Sequence, residues 1–364
     1  MIGSLGATGA CRYPNAVNNR EGSKMMNWKI AAASAALAVA VAAPAHAGAT
    51  LDAVKQRGFV QCGANTGLPG FGAPNDKGEW AGLDIDYCRA LAAAVFGDAS
   101  KVKFTPLTAK ERFTALQSGE VDVLARNTTI TLSRDTDLGM NFIGVNYYDG
   151  QGFMVRESLG VKSAKELGGA SVCVQTGTTT ELNLTDYFRS NNMELKTVVF
   201  EKSDETRIAY DEGRCDAFTT DASGLAAERS VTKNPAEHII LPEIISKEPL
   251  GPAVRHGDNE WEDIARWTLN AMIIAEEFGI TQANVDQIKA ESQNPEIRRM
   301  LGVEGEAGKQ LKLNPDWAYQ IIKQVGNYGE SFERNVGEKT PLRLSRGLNQ
   351  LWSKGGLLYA PPVR

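Results

Sequence analysis

The sequence predicts an α/β protein built as two lobes, and three observations carry that expectation. Short β-branched runs alternate with amphipathic runs from residue 59 onward, which is the signature of βαβ units in a parallel sheet. The same order of runs returns further along the chain. Two glycine-containing extended stretches, 146–155 and 248–254, lie where the backbone would cross from one unit to the other and back.

Strands are expected at 59–63, 102–106 and 121–125, with helices at 85–96 and 111–118. In the first helix Tyr87, Leu91 and Val95 share a face at i, i+4 and i+8. The second unit has expected strands at 171–175, 197–201 and 215–219 and helices at 179–190 and 204–212. Residues 111–122 superpose on 205–216 at a constant offset of 94, each reading as helix, glycine (Gly119, Gly213), turn, aspartate (Asp122, Asp216), strand. Glycine follows helices in many α/β proteins; the matched position inside matched units is what points to two equivalent lobes.

The two crossovers make the first lobe discontinuous, 48–150 plus 248–285, around a second lobe of 151–247, and paired hinges can absorb closure about a ligand. A long helical run at 261–277 belongs to the first lobe. Residues 286–364 are expected to form a helical C-terminal extension packed on that lobe, with Asn314 as N-cap, Pro315 as first helical residue, and Trp317, Ile321 and Val325 on one apolar face.

The 364 residues, 42% hydrophobic and 23% charged, suffice for two cores. Lys29 precedes an apolar run at 30–43, followed by Pro44 and Ala45-His46-Ala47, which reads as a secretory signal cleaved after Ala47. That run is shorter than the roughly 20 residues a membrane span needs. Residues 1–24 form a leader ahead of a second possible start at Met25 or Met26. Removing residues 1–47 takes four of 39 basic and one of 44 acidic residues, leaving 35 against 43, a formal charge of −8 that argues against nucleic-acid or anionic-membrane partners. Four cysteines remain for an oxidising compartment, as two disulfides or as buried thiols. The intralobe pairs Cys62–Cys88 and Cys173–Cys215 are expected, the first tying the opening strand to the helix behind it, the second joining strands adjacent when the first strand of a unit is central.

Open α/β sheets bind ligands beyond the carboxyl ends of their strands. After 121–125 comes Arg126-Asn127-Thr128-Thr129-Ile130-Thr131-Leu132-Ser133-Arg134, whose hydroxyls, amide and two guanidinium groups suit an anion. Arg134 can grip a carboxylate with two parallel N–H···O bonds while Thr129 and backbone amides meet the remaining lone pairs. Thr178 and Thr179 open a helix after 171–175, and Asp221 follows 215–219, where an acid can hold an ammonium. A cationic clamp facing an acid matches a zwitterionic α-amino acid, since each buried ligand charge needs a partner. Taken singly, Arg134 also fits a surface ion pair, Asp221 a helix N-cap, and Phe71 core packing.

Gly82-Leu83-Asp84-Ile85-Asp86, Ser118-Gly119-Glu120-Val121-Asp122, Thr129-Ile130-Thr131 with Arg134, Gly177-Thr178-Thr179, and Gly213-Arg214-Cys215-Asp216 with Asp221 follow one another in a familiar order. Over residues 51–278 the chain resembles the family 3 periplasmic solute-binding proteins of polar amino-acid ABC transporters. Its long C-terminal tail and residues 125–129 look closest to the general L-amino-acid-binding branch. The resemblance implies the two-lobed periplasmic-binding-protein fold. It also implies a carboxylate clamp of Arg134 with Thr129 and the Asn127 segment beside Arg126, second-lobe bonds from Thr179 and Thr178, and an ammonium site at Asp221. Asn65 and Leu68 stand where basic-amino-acid binders carry an acid and an aromatic, which implies broad specificity, with Phe71 as an apolar wall.

The implied protein is a monomer in the periplasm that passes free L-amino acids to an inner-membrane ABC permease, inserts in no membrane, uses no cofactor and is not an enzyme. The competing expectation is an exported cyclohexadienyl or arogenate dehydratase on the same fold, which needs a general acid or base in the cleft. The sequence has no HExxH, P-loop or GxSxG motif, and beyond residue 47 its histidines are His238 and His256, outside the expected site loops. A receptor's sensing domain would use the same clamp.

Overall fold

The computed structural model describes residues 48–75 and 77–364; the leader, apolar run and cleavage point expected in 1–47 lie outside the described residues. Helix α1 (Ala49–Arg57) leads into β1 (Val60–Asn65), and a short ribbon of β2 (Ala73–Pro74) and β3 (Trp80–Ala81) precedes α2 (Leu83–Phe96). Then follow β4 (Val102–Leu107), α3 (Glu111–Ser118), β5 (Val123–Leu124), α4 (Leu132–Asp135), β6 (Met140–Phe142) and the first crossover strand, β7 (Tyr147–Asp149). The second lobe runs β8 (Gln151–Arg156), β9 (Ser171–Gln175), α5 (Thr179–Ser190), β10 (Lys196–Phe200), α6 (Ser203–Asp211), β11 (Ala217–Asp221), α7 (Ala222–Arg229) and β12 (His238–Ile240). The return crossover is β13 (Glu248–Leu250), followed by β14 (Ala253–Arg255) and α8 (Asn259–Glu277).

The two main sheets share one plan, with orders β4-β1-β5-β14-β6 and β10-β9-β11-β8-β12. In each, the first strand of the βαβ unit lies centrally and pairs in parallel on both sides. Antiparallel strands complete each sheet. The repeated sequence element has one physical role in both lobes. Gly119 and Gly213 each turn at φ 81°, a region glycine enters without a Cβ penalty. The aspartate three residues later then fastens the start of the central strand. Asp122 accepts from Gln61 N at 2.7 Å, and Asp216 accepts from Ser171 N at 2.7 Å.

Both expected disulfides are present, Cys62–Cys88 and Cys173–Cys215, so the alternative of free thiols does not apply. Phe153, Val172 and Leu184 pack one face of the second sheet, and Met154, Tyr210 and Phe218 the other. The chain beyond α8 forms α9 (Val285–Glu291), α10 (Pro295–Met300), α11 (Ala307–Gln310), α12 (Trp317–Gln324) and α13 (Tyr328–Asn335). Trp317, Ile321 and Val325 share a core with Leu91 of α2 and Ile264 of α8. Helix α12 starts later than the sequence suggested: its N-cap position is Asp316, and Asn314 instead lies in a turn closed by Trp317 N on its carbonyl. That turn is pressed against two glycines, since a Cβ on Gly302 would meet Pro315 O at 2.0 Å and one on Gly308 would meet Asn314 O at 2.5 Å.

The Gly82-x-Asp84-x-Asp86 motif also has a structural explanation. A Cβ on Gly82 would lie 2.1 Å from Phe71 O, so only glycine lets α2 begin beneath that turn. Asp86 accepts from Ser331 Oγ (2.7 Å), Arg334 Nη2 (2.5 Å) and Asn335 Nδ2 (2.7 Å), which fastens α13 to the first lobe.

Replacing Asp216 with alanine removes the bonds from Ser171 N and Oγ and should cost about 1–3 kcal/mol in denaturant unfolding at neutral pH. Ser171 holds the Asp216 carboxyl below its ordinary 3.8, so this stabilisation exists above 3.8 and is lost as pH falls through the depressed value. A wild-type advantage that stays undiminished at pH well below 3.8 contradicts this role.

Candidate functional site

The crossovers form a two-stranded antiparallel ribbon in which Glu248 faces Asp149 and Leu250 faces Tyr147. The loop after β5 is laced to it: Ile130 N donates to Pro249 O at 2.8 Å and Gly251 N to Thr128 O at 3.0 Å. Behind this loop, buried Asp84 accepts from Asn127 N (2.7 Å) and Asn146 Nδ2 (2.8 Å). Asn127 can therefore hold φ 32°, a left-handed value that asparagine tolerates better than most residues. Its Oδ1 accepts from Asn65 Nδ2 at 2.9 Å.

Between the lobes lies a tight cavity, with space of only about 10 Å³, lined by Asn65, Leu68, Phe71 and Asn127 on one side and Gln175, Ser203, Thr220 and Asp221 on the other. Phe71 lines the cavity and meets Tyr147 edge to face at 5.3 Å. Asp221 occupies the N-cap position of α7 but makes no capping bond, and its buried carboxylate accepts no hydrogen bond among the described residues. Burial raises its carboxyl well above the ordinary range, reinforced by Asp149 and Glu248 and opposed by Arg112 and Arg134.

Arg134 is buried rather than paired at the surface. Its Nη1 donates to Thr129 O at 2.8 Å and the guanidinium lies 5.1 Å from the Phe113 ring centroid. It borders an outer groove with Thr178, Thr179 and Asn183, not the inner cavity. Thr178 is committed to its helix: the hydroxyl donates to Gln175 O at 2.6 Å and accepts from Glu181 N at 3.1 Å. Arg126 turns away from the cavity, with Nε on Leu107 O at 2.9 Å and a buried Nη2 that has no protein partner among the described residues. Burial lowers Arg126 to about 10.

Four residues that the sequence reading passed over belong to the same cluster. Buried Arg112 lies behind the loop, with Nη1 3.3 Å from Thr128 Oγ1, and burial followed by Arg126 and Arg134 holds it well below its usual range. Asp149 takes the Ser223 hydroxyl and backbone N–H and is pushed up to about 6 by burial. Gln151 fastens the second lobe's floor, Nε2 donating to Thr180 O and Thr219 Oγ1, both at 2.9 Å. Glu248 accepts from Thr129 Oγ1 (2.6 Å) in the first lobe and from Thr179 Oγ1 (2.8 Å) and Asn183 Nδ2 (2.7 Å) in the second. The signals were modest: Arg112 lies one helical turn before buried Ala115 and Leu116, and Glu248 alternates with buried Leu250.

The described residues contain no helix long and apolar enough to cross a membrane. The family model of bacterial extracellular solute-binding proteins, family 3, matches residues 60–282. The chain is 63% identical over 342 residues to the general L-amino acid-binding periplasmic protein AapJ of Rhizobium johnstonii, covering 93% of this chain and 100% of that one. It is 58% identical to the glutamate/glutamine/aspartate/asparagine-binding protein BztA of Rhodobacter capsulatus, covering 91% and 98%. A solved periplasmic binding protein from Brucella ovis with glutathione bound superposes with a TM-score of 0.85 at 63% identity, covering 86% of this chain and 99% of that one. The chain belongs to the bacterial extracellular solute-binding proteins, family 3.

Proposed function

We propose that this chain is the periplasmic capture component of an amino-acid ABC transporter, a monomer that closes two lobes over free L-amino acids of varied side chain and hands them to an inner-membrane permease. Cleavage after Ala47 releases it from its signal peptide. The observation that carries the reading is that Asp221, a buried carboxylate without an internal hydrogen bond, lies within electrostatic reach of buried Arg112 and Arg134 of the other lobe. A zwitterion answers both halves at once, its ammonium on Asp221 and its carboxylate beside Asn127 and Thr129 on Arg134, which turns inward for this from the groove that it borders here. Glutathione, held by the Brucella ovis relative, presents the same α-carboxylate and α-ammonium on its glutamyl residue.

Binding rather than catalysis is the reading that the relatives support, since those most similar in sequence are amino-acid-binding proteins. Glu248 has a separate role as a latch: its carboxylate gathers hydroxyls from both lobes and so favours the closed form.

Arg134→Met should weaken binding of glutamate, glutamine and alanine by roughly 30-fold or more, about 2–5 kcal/mol, in isothermal calorimetry. Asp221→Asn should do likewise, and a ligand lacking its amino group should no longer distinguish it from wild type. Binding within about threefold of wild type in both folded variants defeats the clamp. Glu248→Ala should weaken every amino acid by a similar factor and enlarge the particle in solution scattering; a change confined to one ligand contradicts the latch.

A further inference from the structure

Ser203 heads α6 and borders the inner cavity beside Gln175, Thr220 and Asp221. A serine hydroxyl offers one proton and two lone pairs. Here the proton points away from the cavity, since Oγ donates to Glu228 Oε1 at 2.5 Å and both residues are buried. Arg207 Nε stands 3.1 Å from the other oxygen of Glu228 and supports the ionised form. The part of Ser203 left for a ligand is therefore an acceptor. Two neighbours have the same polarity. Gln175 spends Nε2 on Glu201 O at 2.8 Å, which leaves its carbonyl oxygen, and Ser223 gives its hydroxyl proton to Asp149.

We propose that Glu228, acting through Ser203, biases the inner cavity toward ligand side chains ending in N–H donors, carboxamides above all, over isosteric carboxylates. Glu228 is a positioning residue: it never meets the ligand but decides which way the Ser203 hydroxyl faces. A carboxylate oxygen set against Ser203, Gln175 and Ser223 finds no proton on them, while an amide N–H finds an acceptor. The inference rests on the reading of this cleft as an amino-acid site.

Burial pushes the Glu228 carboxyl up to about 7, opposed by Ser203 and Arg207 and reinforced by Asp204 of the same helix α6, so the test belongs at about pH 8 where the group is ionised. Calorimetry of the protein with glutamine, glutamate and alanine should show glutamine bound about tenfold more tightly than glutamate, the scale of one mismatched hydrogen bond. In Glu228→Gln the new amide can donate to Ser203 Oγ and turn the hydroxyl inward, which should narrow the glutamine-to-glutamate ratio about threefold or more while alanine binding stays near wild type. Ser203→Ala should narrow it as well and decides the matter if Glu228→Gln does not fold. Glutamate bound as well as glutamine by wild type, or a ratio unmoved in folded variants that retain alanine binding, overturns the proposal. If none of the three ligands binds wild type, the amino-acid reading falls and this one with it.

Discussion

The cleft depends on one buried carboxylate that no ligand is proposed to touch. Asp84 holds the Asn127 backbone on one side and the Asn146 side chain on the other, so the loop after β5 and the first crossover are fastened to the start of α2. Burial raises its carboxyl, while these two bonds and the nearby Arg126 pull the other way. An unsatisfied carboxylate at that depth would cost several kcal/mol, so loop and hinge must keep their geometry for Asp84 to be tolerated. Gly82, two residues earlier, supplies the close backbone approach that puts it there.

Everything in front of that anchor is charge held out of water. Arg112, Arg126 and Arg134 are each depressed by burial, and Asp149 and Asp221 are each raised. Buried charges of this kind are worth little unless completed by partners, and their energetic demand is what a small zwitterion can meet. The hinge ribbon passes through the middle of the cluster and contributes Asp149 from one strand and Glu248 from the other. Closure and electrostatics are therefore built from the same residues.

The architecture was legible because it follows period and punctuation. The 179–190 helix, the 171–175 strand and the duplicated Gly-x-x-Asp turn are local patterns, and the structure carries them with shifts of one or two residues at most. Asp122 and Asp216 turned out to share one task, holding the start of a central strand. Less legible were side-chain destinations. Thr178 and Arg126 were both candidate ligand contacts from their loops, and the sequence did not show that Thr178 also caps its own helix or that Arg126 Nε reaches Leu107 O. Glu248, in a crossover strand of only three residues, could be placed only once its partners 119 and 69 residues away were known. The delayed start of α12 reflects nearer packing, since Gly302 and Gly308, in the segment just before it, lie against Pro315 and Asn314.

The central claim, that a zwitterion spans Asp221 and Arg134 between the lobes, is tested most directly by a crystal structure of the protein grown with L-glutamine. The account predicts the ligand's ammonium within hydrogen-bond distance of the Asp221 carboxylate, its carboxylate on the Arg134 guanidinium, and its amide beside Ser203. A ligand seated elsewhere, or one in this cleft with its ammonium and carboxylate held by other residues, would contradict it.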